Sequence, residues 1–234
     1  MISSKDNPKI KELIKLHQAK YRKETNTFLV EGKHLVKEAF EANAVIEAYS
    51  IDEIPGYTLV SLPVMKKICK TDTVVTEVAL CKINEIKPLS DNILILDNIQ
   101  DPGNLGTILR TAKAFKFDTV IISKGSCDLY NDKVIRSSQG AIFKLNILNN
   151  IDLLSFIPTL NDYEIYGTNV RNGTDIKDIK KEKKIAIILG NEGNGISKEI
   201  SNIIDKNIYI KLDNMESLNV SIAGAIIMYE YINK

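Results

Sequence analysis

The chain has 234 residues, 44% hydrophobic and 26% charged, a balance that excludes an intrinsically disordered polypeptide and suits one large domain or two smaller ones. Lys and Arg number 31 against 30 Asp and Glu, a net charge of +1, so no global field announces a polyanionic partner. Three cysteines (Cys69, Cys81, Cys127) without C-x-x-C spacing argue against a disulfide framework and a structural zinc site. No apolar run reaches the roughly 20 residues that span a bilayer, and the charged first 25 residues lack the apolar core of a signal peptide. The expectation is a soluble cytoplasmic protein of a reducing compartment, with no membrane association.

Charge is unevenly spread. Residues 1–25 carry seven basic side chains (Lys5, Lys9, Lys11, Lys15, Lys20, Arg22, Lys23) against three acidic ones (Asp6, Glu12, Glu24), a local net of +4. Any nucleic-acid contact read from charge therefore points first to the N-terminus. Here a basic helix is predicted over about 7–22, with Ile10, Leu13, Ile14 and Leu16 as its apolar positions. The strand "TFLV" follows, then a helix with Leu35, Val36, Ala39 and Phe40 on one stripe. "VIEAYSI" and "YTLVS" read as strands, residues near 63–70 as a helix and 77–83 as a strand. The polar, proline-containing stretch 84–92 reads as a boundary. This divides the chain into a small α/β domain over 1–84, a linker over 85–92 and a second domain over 93–234.

The second domain alternates more clearly. "ILILD" (93–97), "DTVIIS" (118–123), "YEIYG" (163–167), "KIAIILG" (184–190) and "NIYIKL" (207–212) are short β-branched runs. Helical segments near 104–116, 130–138, 151–160, 196–204 and 217–232 separate them. That alternation predicts βαβ units, a parallel sheet covered on both faces, and chemistry in the loops beyond the carboxyl ends of strands.

Three such loops stand out. In "LDNIQDPGNLGTILRTAKAF" (96–115), Asp101-Pro102-Gly103 forms a turn and Asn104 can cap the helix. Leu105, Ile108, Leu109, Ala112 and Phe115 make the buried stripe of that helix, while Gly106 and Arg110 lie one turn apart on the other face, where a ligand could approach beside a fixed cation. In "ILGNEGNGIS" (188–197) a buried strand runs into three glycines interleaved with Asn191, Glu192 and Asn194. The pattern G-x-x-G-x-G is not the dinucleotide fingerprint, and its glycines would let backbone groups face a ligand. In "IKLDNMESLNVSIAGAIIMYE" (210–230), Glu216-Ser217 leads into a helix with a small face of Ser221, Ala223, Gly224 and Ala225.

Together these segments resemble the three motifs of the SpoU/TrmH branch of the SPOUT RNA methyltransferases: Asn104 and Arg110 in "NLGTILRTA", Gly190 to Gly195 in "GNEGNG", Ser217 and Asn219 in "SLNVSIAGA". "KVIRSSQGAIFKL" (133–145) is similar to the segment joining the first two motifs. "SKDNPKIKEL" and "FLVEGKHLVKEA" resemble the RNA substrate-binding domain that precedes the catalytic domain in many members. The third motif lacks the proline that many members carry after the strand. The resemblance implies a SPOUT-type parallel sheet with a C-terminal trefoil knot, S-adenosyl-L-methionine as cofactor, no metal, and a homodimer with the cofactor near its interface. It implies methyl transfer to a ribose 2′-hydroxyl of RNA, with ribosomal RNA ahead of transfer RNA because minimal transfer-RNA members often lack the extra domain. Arg110, Asn104, Asn219, Ser217 and Glu192 are the catalytic candidates. Thr168, Leu189, Gly190, Asn191, Gly193, Ile210, Leu212, Leu218 and Asn219 are the cofactor-binding ones. The N-terminal basic cluster (Lys5, Lys9, Lys11, Lys15, Lys20, Arg22, Lys23) and Arg110 are the RNA contacts. A guanidinium is a poor base near neutral pH, so Arg110 is expected to anchor phosphate and stabilise charge. Two other readings remain: a catalytically silent RNA-binding protein on this scaffold, and a base methyltransferase of another SPOUT branch.

Overall fold

Ile10 and Leu13 recur at helical spacing and are fully covered in α1 (Pro8–Lys15), whose first turn is capped by the Asn7 side chain accepting from the Lys9 amide at 2.9 Å. The molecule, a computed structural model describing residues 1–71, 73–170, 172–204 and 206–234, does not continue that helix to residue 22. The chain turns at His17 and Gln18, and α2 (Ala19–Thr25) starts afresh. The break is stabilised by Arg22, which is buried and donates Nη1 to the Leu16 carbonyl at 2.5 Å. Then come β1 (Thr27–Glu31), α3 (Lys33–Glu41), β2 (Val45–Ser50), β3 (Thr58–Leu59), α4 (Leu62–Ile68) and β4 (Glu77–Lys82). They build a four-stranded sheet of order β1-β4-β2-β3, antiparallel except for the β2–β3 pair. Its core includes Ile10, Leu13, Tyr49, Val64, Met65 and Val78.

The remaining chain supplies β5 (Asn92–Leu96), α5 (Pro102–Ala114), β6 (Thr119–Ser123), α6 (Asp132–Ser138), α7 (Ala141–Lys144), β7 (Asn146–Ile151) and α8 (Leu153–Phe156). These are followed by β8 (Glu164–Thr168), β9 (Thr174–Asp175), β10 (Ile185–Leu189), α9 (Lys198–Ser201), β11 (Lys206–Tyr209) and α10 (Val220–Ile232). Seven strands pair in the order β7-β6-β5-β10-β8-β11-β9, every pairing parallel. β5, β6 and β10 are buried over four or five consecutive residues, as expected where helices cover both faces.

Two compact units result: Met1–Glu85 with Tyr130–Phe143, and Ile86–Leu129 with Lys144–Lys234. The segment 130–143, read from sequence as catalytic-domain helix, groups with the N-terminal unit. Within that unit the Tyr130 and Phe143 rings pack on Phe28 at centroid distances of 4.6 and 5.8 Å, and Asn84 donates to the Phe143 carbonyl at 3.1 Å. Helix boundaries differ elsewhere. The stretch 151–160 is α8 followed by a 3₁₀ turn at Ile157–Thr159, where Pro158 lacks the amide a longer α-helix needs. The segment read as a helix near 196–204 is a single turn in α9, and the last helix begins at Val220.

Candidate active site

The chemistry-bearing loops leave the carboxyl ends of β5, β8, β10 and β11. A cavity of about 580 Å³ opens there, walled by the ends of β8, β10 and β11, the 190–196 loop, the segment 210–218 and the inner face of α10. Thr168, Leu189, Gly190, Asn191, Gly193, Ile210, Leu212 and Leu218 all line it, with Glu192 and Ser217 on the same wall. Asn219 lies just outside. Thr168 is not free to bind with its hydroxyl proton, since Oγ1 donates to the Ile188 carbonyl at 2.9 Å.

The 190–195 loop closes on itself. Asn191 and Gly195 exchange backbone hydrogen bonds at 2.8 and 3.0 Å, and Asn191 Oδ1 accepts from the amides of Gly193 (3.0 Å) and Asn194 (3.1 Å). A methyl at Gly190 would stand 2.1 Å from the Gly195 backbone carbon. Glycine is required at 190 by this turn's closure, rather than by a ligand's approach as the sequence suggested. The Asn191 side chain is committed to the loop as well, its Nδ2 donating to the Asn98 carbonyl at 2.8 Å.

Glu192 ties this loop to the first one. Its carboxylate accepts from the backbone amides of Gln100 (3.1 Å) and Asp101 (3.0 Å) and from Asn104 Nδ2 (3.1 Å). Burial pushes its pKa up, but the amides of Asp101 and of Glu192 itself, Asn104 and the Gln100 amide outweigh that and hold it below the usual glutamate value. Asn104 in turn accepts on Oδ1 from Asn219 Nδ2 at 3.0 Å. Asn219 Oδ1 caps α10, accepting from the Ser221 amide (2.9 Å) and hydroxyl (2.6 Å). One relay of carboxylate and amides, Glu192–Asn104–Asn219, thus joins all three sequence motifs. It corrects a sequence expectation: the cap of α5 is Asp101, whose Oδ1 accepts the Asn104 amide at 2.9 Å, which leaves the Asn104 side chain free to join the relay.

Sequence reasoning missed the buttress beneath. Asp97, buried at the end of β5, accepts the Ser197 amide at 2.7 Å, and Ser123 accepts the Asn98 amide at 2.7 Å. An aspartate directly after the apolar run "ILIL" was the available signal.

Other expected residues stand apart. Arg110 is exposed on α5, does not line the cavity, and makes no hydrogen bond or ion pair with any described residue. Gly106 is buried, contrary to the open face inferred for it. In the N-terminal cluster Arg22 is a structural side chain and unsuited to RNA contact. Lys9 and Lys11 are engaged with Glu47 (2.6 Å) and Asp6 (2.9 Å), Lys20 with Glu24 (3.9 Å), and Lys15 lies over the Tyr21 ring. Lys5 and Lys23 are exposed and have no partner among the described residues. No group of three or more His, Cys, Asp or Glu converges as a metal site among the described residues, and no helix there is long and apolar enough to cross a membrane.

The sequence model of the SpoU rRNA Methylase family matches residues 91–229, the span that holds every element of this cavity. The chain belongs to the SpoU family. An MRM3-like substrate binding domain matches residues 7–79. This SpoU protein is 35% identical over 242 residues, 97% of each chain, to the 23S rRNA (guanosine(2553)-2'-O)-methyltransferase RlmP of Bacillus subtilis. Its fold is similar to a crystal structure of an RNA 2'-O ribose methyltransferase (28% identity, TM-score 0.81, covering 99% of this chain and 98% of that one). It is similar also to the AdoMet-bound rRNA methyltransferase of Sinorhizobium meliloti (25% identity, TM-score 0.86, covering 99% and 97%).

Proposed function

We propose that the protein transfers the methyl group of S-adenosyl-L-methionine to a ribose 2′-hydroxyl of RNA, most directly in 23S ribosomal RNA. The observation that carries this reading is the Glu192–Asn104–Asn219 relay, which ties three separated motifs to one another, two of them lining one cavity at the ends of parallel strands. The cavity suits the cofactor: its volume falls in the range of about 300–1,000 Å³ typical of ligand sites, and apolar walls at Leu189, Ile210, Leu212 and Leu218 alternate with polar backbone. Full-length similarity to a 23S rRNA 2'-O-methyltransferase supports the ribosomal substrate over transfer RNA.

When bound, S-adenosyl-L-methionine supplies a methyl already activated by positive sulfur, so no metal is needed. The chain's own task lies at the acceptor, a neutral hydroxyl that must lose its proton as it attacks. Arg110 serves as a phosphate anchor that orients the ribose and stabilises developing charge. Asn104, Asn219 and Glu192 act by holding the loops in register, which fixes the approach geometry. Ser217, exposed on the cavity wall, is available to substrate.

Three finer features belong to the same reading. The trefoil knot of the branch fits a sheet in which β10 inserts between β5 and β8 and α10 returns to pack on α5. A cytoplasmic homodimer fits exposed Ile222 (51%) and Tyr229 (54%) on α10, and would allow a second copy to bring Arg110 to a cavity its own chain leaves it outside. The N-terminal unit binds RNA, with Lys5 and Lys23 as the members of the basic cluster that have no partner among the described residues.

The test is incubation with radiolabelled S-adenosyl-L-methionine and unmodified ribosomal and transfer RNA, followed by alkaline digestion. Alkali cleavage needs a free 2′-hydroxyl, so labelled resistant dinucleotides from large-subunit RNA are the expected product. Label confined to transfer RNA would move the substrate. Label in alkali-sensitive nucleotides would indicate a base methyltransferase. No label and no cofactor binding would leave a silent RNA-binding protein.

A further inference from the structure

Several polar side chains on the cavity wall, among them Thr168, Asn191 and Glu192, are committed to holding loops, whereas the half-buried amide of Asn207 is not. Asn207 lies on β11 in register with Gly167 of β8. Asn207 and Tyr209 line the cavity, while Ile208 between them is buried in the core. The Asn207 side chain is half-buried and makes no hydrogen bond with any described residue. Its place depends on Gly167: a methyl there would stand 2.9 Å from Asn207 Oδ1, 3.1 Å from Ile196 Cδ1 and 3.3 Å from Ile204 Cδ1. The absent side chain leaves room for the amide, between two apolar walls.

An amide presents an acceptor beside a pair of donors. Adenine presents the complement, an exocyclic amino donor beside a ring-nitrogen acceptor, and Asn is the side chain that pairs with it in both directions. We propose that Asn207 is a specificity-determining residue that reads the adenine edge of the adenosyl cofactor, Oδ1 accepting from the 6-amino group and Nδ2 donating to the adjacent ring nitrogen. The assignment rests on the cofactor reading above. A partly buried amide left without its partner opposes binding, so the site disfavours a base lacking the amino group.

Calorimetry with S-adenosylhomocysteine, and with the analogue in which the 6-amino group is replaced by hydrogen, tests this in the full-length protein. The wild type is expected to prefer the amino compound by about tenfold, the size of one neutral hydrogen bond. Asn207→Leu, of similar volume, is expected to bind the two alike, at an unchanged thermal midpoint. Gly167→Ala should blunt the preference too, because its methyl displaces the flexible end of the amide. A wild-type protein without preference, or an Asn207→Leu variant that keeps it, overturns the assignment while leaving the cofactor reading intact. A wild type that binds neither compound fails the cofactor reading itself.

Discussion

Glu192 offers the sharpest test of how the site is assembled. Removing its carboxylate in Glu192→Ala deletes three acceptor contacts at 3.0–3.1 Å, to the amides of Gln100 and Asp101 and to Asn104 Nδ2, and a longer one of 3.4 Å to Asn191 Nδ2. A hydrogen bond to a charged group contributes about 1.5–3 kcal/mol when buried, but this carboxylate is largely exposed and each bond is discounted to roughly 0.5–1 kcal/mol. The sum, about 1.5–3 kcal/mol of loop ordering, corresponds to a ten- to hundredfold fall in kcat/KM if the ordered loops are the reactive arrangement. Glu192→Gln keeps an acceptor oxygen but turns an amino group towards backbone donors, so an intermediate loss is expected. The native pKa lies below the usual glutamate value, so the ordering is complete above about pH 4.5 and is lost as pH falls through that lowered pKa. The assay is single-turnover methylation alongside S-adenosylhomocysteine affinity and thermal midpoint. A Glu192→Ala variant within twofold of wild type in turnover would refute the relay, as would a Gln variant no better than Ala.

Arg110→Ala removes a side chain outside the cavity wall and should lower turnover about a hundredfold while S-adenosylhomocysteine affinity stays within twofold; equal losses in calorimetry and turnover would deny it the substrate-anchoring role. Gly190→Ala drives a methyl to 2.1 Å from backbone, where no rotamer can yield, so a destabilisation of about 3 kcal/mol or more should appear in urea unfolding; an unchanged midpoint would mean the 190–195 turn is not closed as described. Burial lowers the His17 pKa against the pull of the Ile68 carbonyl, 2.7 Å from Nε2. The unfolded chain then binds a proton first, so stability is full above about pH 6.5 and declines below it. His17→Gln should flatten the fall in urea midpoint between pH 7 and 5, and an identical slope in both proteins would remove His17 as its source.

The parallel sheet was legible because its strands are β-branched runs whose burial on both faces leaves no polar alternation. β7, "NILNNI", escaped because only its first residue is fully buried and three asparagines hide the pattern. The break in the N-terminal helix was invisible to periodicity, since Ile10, Leu13 and Leu16 stay in phase to its end. What stops the helix is a contact six residues along the chain, Arg22 on the Leu16 carbonyl. The same contact explains why charge alone overcounts the solvated cations of the N-terminal segment. A sequence tally treats every lysine and arginine as solvated, whereas a buried guanidinium on a carbonyl, or a lysine paired with Glu47, has already spent its charge inside the fold.

The motif residues show what pattern leaves undecided. Spacing marks Asn104, Glu192 and Asn219 as important, while their chemistry is open to two roles, meeting a ligand or holding the loops. In the structure their hydrogen bonds run to one another across 88 and 115 residues of sequence, a separation at which no local pattern distinguishes a contact to substrate from a contact to a neighbouring loop. The distinction is physical. A side chain whose donors and acceptors are satisfied within the protein contributes precision, because moving it costs bonds already made. One left unsatisfied at a cavity wall, as Asn207 is, or extended into solvent, as Arg110 is, has its capacity still available to a ligand. On that criterion the residues that contact cofactor or RNA through their side chains are to be sought among the unpaired groups. The paired ones set how accurately those groups are held.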